Sequence, residues 1–120
     1  MKPVDQTTFD PEKGNCFSAC VASLLEIPLE SVPFFMESGD GWTEALVEWC
    51  EKEGLRLDFS TEFPPPPDTL CIVGGYSPRN PGKGHAVIML NGEVVHDPHP
   101  DRSGIVGEPW DWITLSWSGR

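Results

Sequence analysis

Phe17, Cys20, Val21, Leu24 and Leu25 recur at the i, i+3, i+4, i+7, i+8 spacing of one helical face. The opposite side carries Ser18, Ala19, Ala22 and Ser23, small enough for another element to pack closely on it. Such a helix belongs inside a molecule, buried on most of its circumference, with the rest of the chain arranged around it. Gly14 allows a tight turn before it. Asn15 is suited to cap it, because its side-chain oxygen can accept a first-turn amide. This reading puts Cys16 at the first helical position.

The remaining chain changes character as it proceeds. Positions 1–13 are polar and contain proline, and read as an extended arm carrying Gln6. After the first helix, Pro28 and Pro33 forbid another long one, leaving a loop with one helical turn at Leu29 to Val32. Gly39-Asp40-Gly41 is a turn. A second helix runs from about Trp42 to Glu53, its stripe made by Trp42, Ala45, Leu46, Trp49 and Cys50, with Gly54 to end it. Strands follow. Leu55 to Phe59 alternates with period two, and Thr69 to Gly74 reads as a buried strand. The four prolines from Pro64 to Pro67 form a stiff surface loop. Gly75 to Gly84 and Asp101 to Asp111 are loops, and Trp112 to Trp117 is a last strand, with Trp110, Trp112 and Trp117 expected in the sheet core. Helices first and strands after predict an α+β fold, an antiparallel sheet packed on the early helices.

One hundred and twenty residues suffice for a single domain, 1–120, with a real core. Nineteen acidic residues against eight basic ones leave a net charge of −11, which argues against nucleic acid and against anionic membrane surfaces. A charged partner is expected to be basic. No apolar run approaches a membrane span, and the first residues lack a signal-peptide core, so a soluble cytoplasmic protein is expected. Cys20 and Cys50 fall on helix stripes and Cys71 in an apolar strand, so these three read as core. Cys16 alone sits at an element boundary. There the unpaired amides and partial positive charge of a helix start favour a thiolate, and a neighbouring imidazolium would favour it further.

His85 to Leu90, Asn91-Gly92 and Glu93 to Asp97 form the clearest hairpin. His85 opens its first strand and Asp97 closes its second. A cysteine nucleophile needs a base, and the base needs an orienting acceptor. Register decides whether this pair can meet. With Asn91-Gly92 as a plain two-residue turn, Leu90 pairs with Glu93, His85 opposes Pro98, and His85 and Asp97 point to opposite faces. With Leu90-Asn91-Gly92 as a three-residue loop, His85 faces Asp97. Asn-Gly permits both.

Gly14-Asn15-Cys16 opening a buried helix, His85-Ala86-Val87 opening a strand and Asp97-Pro98 ending the next resemble the papain-like cysteine peptidase superfamily. The nearest form is its small bacterial branch, which includes the peptidase domains of bacteriocin exporters. The resemblance implies a papain-like α+β fold and a thiol hydrolase without a metal or other cofactor. Cys16 would be the nucleophile, His85 the base, Asp97 its acceptor and Gln6 the oxyanion-hole glutamine, acting on a peptide or protein substrate. The gap from Gln6 to Cys16 is longer than is usual in that superfamily. Two other readings compete. One is a catalytically silent protein on the same fold, an acidic antagonist of a basic partner. The other is a metal site, since His96, Asp97, His99 and Asp101 crowd one loop, though such sites usually add a distant further ligand.

Overall fold

Small side chains let the first helix sink into the molecule. In the computed structural model, which describes residues 1–10 and 14–117, α1 spans Cys16–Leu25. Every residue from Phe17 to Ser23 is buried on it, as is Leu25. The second helix, α2, spans Trp42–Glu53 and buries Leu46 and Cys50. Gly54 ends it at φ 73°, a left-handed conformation that costs glycine little. Between the helices lie two short 3-10 segments, Leu29–Ser31 and Phe35–Gly41.

Five strands follow: β1 Leu55–Ser60, β2 Cys71–Tyr76, β3 Gly84–Leu90, β4 Glu93–His96 and β5 Val106–Trp117. They form one sheet in the order β1-β5-β2-β3-β4, antiparallel at every pairing. The α+β class expected from the order of elements is therefore the observed one. The helices cover one face, where Ile72, Ala86, Ile88, Ile113 and Leu115 meet Phe17, Val21, Leu25 and Leu46 in the main core. Cys71, Val73 and Val87 form a smaller cluster with Met89, Ile105 and Trp112. Its wall includes the loop after β4. Cys20, Cys50 and Cys71 are buried as expected, and Cys16 is partly exposed.

Strand β5 is longer than the sequence suggested, because the stretch up to Asp111 read as a loop. Pro109 misled that reading, since proline cannot join a regular ladder. The structure resolves the conflict with an irregularity. Gly74 pairs with Asp111 and Tyr76 with Val106, so extra residues of β5 bulge out between these pairs and Pro109 lies among them. Trp110 rides on the same irregularity. It is 41% exposed, correcting its expected place in the sheet core, whereas Trp112 and Trp117 do pack against core clusters.

Asn91-Gly92 forms the plain two-residue turn, with Leu90 paired to Glu93 and positive φ at both turn residues (51° and 83°). The register then slips: Met89 pairs with Val94, but Ile88 pairs with His96. Val95 is the extra residue of a bulge in β4. Since side chains alternate faces along a strand, one inserted residue reverses the parity of everything after it. Asp97 is thereby returned to the face of His85, as the three-residue loop would also have done in a ladder without a bulge.

The arm runs along α1. The Lys2 amide donates to the Ser23 carbonyl (3.0 Å) and the Val4 amide to Ser23 Oγ (2.8 Å). His96 Nε2 donates to the Val4 carbonyl (2.8 Å) and the Gln6 amide to the Pro98 carbonyl (3.0 Å). The arm thus joins the first helix to the end of the hairpin. Among the described residues no single helix is long and apolar enough to cross a membrane.

Candidate active site

Strand β3 is the sheet element that α1 contacts most, and this brings the start of the helix to the start of the strand. Cys16 opens α1, where the first-turn amides lack intrahelical acceptors. His85, near the start of β3, is buried. Its Nε2 lies 2.7 Å from Asp97 Oδ1. Nε2 is the nitrogen engaged by the carboxylate, and Cys16, which lines the same cavity, is close enough to act on the His85 pKa.

Asp97 is buried and fully occupied. Oδ1 also accepts the His99 amide (2.9 Å), and Oδ2 accepts the Gly104 amide (2.6 Å). Burial pushes its pKa up, but the hydrogen bond from His85 and those two amides outweigh it and hold the carboxyl below its ordinary value. For His85, burial works to lower the pKa. The hydrogen bonds to Asp97 and to Cys16, with the charges of both, override it and raise the imidazole to about 9. At neutral pH the ring is then an imidazolium beside the Asp97 carboxylate.

Burial raises Cys20 well above the ordinary range, pushes Cys50 up to about 11 and raises Cys71.

Gln6 lines the same cavity as Cys16 and His85. The long Gln6–Cys16 gap is taken up by a fold-back of the chain. Gln6 Nε2 donates to the Thr8 carbonyl (2.9 Å), which also accepts the Asn15 amide (3.4 Å). One Nε2 hydrogen remains uncommitted to Thr8, and Oε1 is buried without a partner among the described residues. Asn15 does not cap α1 with its side chain, contrary to expectation. Its Oδ1 instead accepts the Thr7 and Thr8 amides (2.9 and 3.1 Å), and its Nδ2 donates to Thr7 Oγ1 (2.9 Å). It fastens the arm, and a side chain already bound to two amides of the arm is not available to the helix.

Arg102 escaped the sequence reading. Its guanidinium forks onto Asp5 (2.6 and 3.0 Å) and also donates to the Asp97 carbonyl, locking the arm to the loop after β4. Nothing in the sequence near Arg102 marks it, because Asp5 lies at the far end of the chain. The crowded His96–Asp101 loop is dispersed. His96 turns to Val4, Asp97 to His85, and His99 Nδ1 accepts the Asp101 amide (3.1 Å). Among the described residues no group of three or more His, Cys, Asp or Glu is disposed to hold a metal ion.

The cavity beside Cys16 and His85 encloses about 340 Å³, within the usual range for a small-ligand site. Phe17, Met36 and Trp42 form apolar wall on the helix side, and Trp110 borders it on the sheet side. A thiol, an imidazolium, a buried acceptor and helix-start amides around one opening are able to attack a carbonyl and stabilise the charge that develops. Compared with protein-family models, curated proteins and solved structures, the chain matches none of them.

Proposed function

We propose that this protein is a cysteine-dependent hydrolase of an amide or isopeptide bond, on a fold like that of the small bacterial papain-like peptidases. The observation that carries the reading is His85, buried, with Asp97 on Nε2 and Cys16 lining the same cavity at the start of α1. A purely structural histidine–aspartate pair has no need of a cavity shared with a thiol at a helix start. In this reading the Cys16 thiolate attacks the substrate carbonyl. The oxyanion is met by the Cys16 amide and the free Gln6 N–H. His85 gives its proton to the leaving amine as the C–N bond breaks, leaving an acyl thioester on Cys16. Water, losing a proton to His85, attacks the thioester; the C–S bond breaks, the acid departs and the thiolate is restored. Asp97 fixes the ring and stabilises its charged form throughout. The substrate is a peptide or protein, and the protein works in the cytoplasm as a soluble enzyme.

The test is a brief native pulse of iodoacetamide followed by peptide mapping. Cys16 should be alkylated ahead of Cys20, Cys50 and Cys71, and His85→Ala should slow it. Equal labelling of the four, or labelling only after denaturation, overturns the proposal. Turnover of a mixed peptide library, read by mass spectrometry, should be lost in Cys16→Ala.

A further inference from the structure

The cavity contains an acid that the proposed chemistry does not use. Asp111 on β5 lines it, opposite Gly74 on β2. The two positions are direct partners across the sheet, and the Asp111 carboxylate occupies the space that a side chain at 74 would fill. A Cβ on Gly74 would stand 2.8 Å from Asp111 Oδ1. Glycine at this position is what lets the carboxylate lie over the strand. A glycine within a buried strand often marks such a close approach.

Among the described residues no basic side chain is paired with this acid. Arg79 lines the cavity, but Asp101 holds it at 3.0 and 3.1 Å. No ion pair to Asp111 occurs among the described residues, whose only favourable contact for the charge is the Gly74 amide. Burial raises the Asp111 pKa, as it does for a carboxylate short of partners. The surroundings suit a long side chain with a charged end. Phe17, Met36 and Trp42 can take methylene groups, and Trp110, beside Gly84 on the cavity's rim, offers an aromatic face.

We infer that Asp111 is a specificity residue that receives the cationic side chain of a lysine or arginine next to the bond attacked at Cys16. The inference rests on the proposed thiol chemistry and adds the substrate class to it.

The experiment uses dipeptidyl acyloxymethyl ketones carrying lysine or norleucine at the first or second residue. The Cys16 thiolate displaces the carboxylate leaving group and forms a thioether, read by intact mass. Norleucine keeps the apolar stem and lacks the charge. For at least one position the lysine probe should label wild-type Cys16 about tenfold faster than its norleucine partner, the size of one charge-assisted hydrogen bond. Asp111→Asn should bring that ratio to about one. Asp68→Asn, which removes an exposed acid outside the cavity, should keep the wild-type ratio and so control for net charge. Gly74→Ala, whose methyl displaces the carboxylate, should also shrink the ratio and decides the matter if Asp111→Asn does not fold. Equal lysine and norleucine rates at both positions, or a ratio untouched by Asp111→Asn, overturns the assignment while leaving the hydrolase reading intact. Wild-type labelling no faster than in His85→Ala, with every probe, overturns the hydrolase reading and this inference with it.

Discussion

At the scale of single residues, the buried pair of His85 and Asp97 makes stability depend on pH in a defined way. The His85 pKa is raised from 6.5 to about 9, so its contribution is complete below pH 6.5 and is lost as pH rises through 9. The Asp97 pKa is lowered from 3.8, so its contribution is present above 3.8 and is lost as pH falls through the depressed value. Stability from the pair should therefore be greatest between about pH 4 and 6.5. Urea melts from pH 6 to 9.5 should show wild type losing stability more steeply than His85→Gln; parallel curves would contradict the raised pKa. Asp97→Ala removes one partner of a buried pair and strands the Gly104 and His99 amides, and should cost about 3–5 kcal/mol in the same assay at pH 6. Gln6→Ala should leave folding largely in place and lower kcat by roughly a hundredfold on a library-derived peptide, if its free N–H serves the oxyanion. Cys16, His85 and Asp97 stood out in the sequence because each stands at an element boundary, where a polar side chain has a reason to be, whereas Gln6 lies within the arm. Asn15 stood at such a boundary too and was misread, because its partners are arm amides that no helix rule anticipates. Arg102 and Asp111 were illegible: one depends on a contact across nearly the whole chain, the other on a cross-strand neighbour without a side chain.

At the scale of elements, the β4 bulge governs whether the site exists. The sequence offers Val94 and Val95, two β-branched residues ordinary in any strand, with no glycine or proline to mark an insertion. Period-two reading therefore could not see it, although it did find both strands and the Asn-Gly turn. Deleting Val95 should restore a regular ladder and turn Asp97 away from His85. The protein should still fold, but Cys16 should lose its His85-dependent advantage in iodoacetamide labelling; unchanged labelling would show that the bulge does not set the pair. Gly92→Val should destabilise for a separate reason, since φ 83° is a region β-branched side chains resist. The helices were easier to read than the last strand. Their stripes repeat over two to three turns, and Gly54 closes α2 where expected, whereas Pro109 hides the first half of β5 inside an apparent loop.

Across the whole molecule, core and site draw on different residues, and this can be measured. Leu46, 1% exposed between α2 and the sheet, should cost about 2–5 kcal/mol when cut to alanine. Cys16→Ala, at the partly exposed end of α1, should cost far less in the same urea melts. Equal costs would make Cys16 a packing residue. The arm, finally, bears on the order in which the molecule can be assembled. Its residues are synthesised before either helix or any strand, yet Val4 is fixed by His96, Gln6 by Pro98 and Asp5 by Arg102. The side chains of His96 and Arg102 lie 92 and 97 residues beyond the arm positions they hold, and contacts of such sequence separation close slowly. A growing chain that has released α1 already carries the Cys16 thiol, but has neither Asp97 to hold His85 nor the anchors that seat Gln6. The thiol and its apparatus come together only once synthesis has passed Gly104, so an interrupted chain is left with the cysteine and without the means to use it.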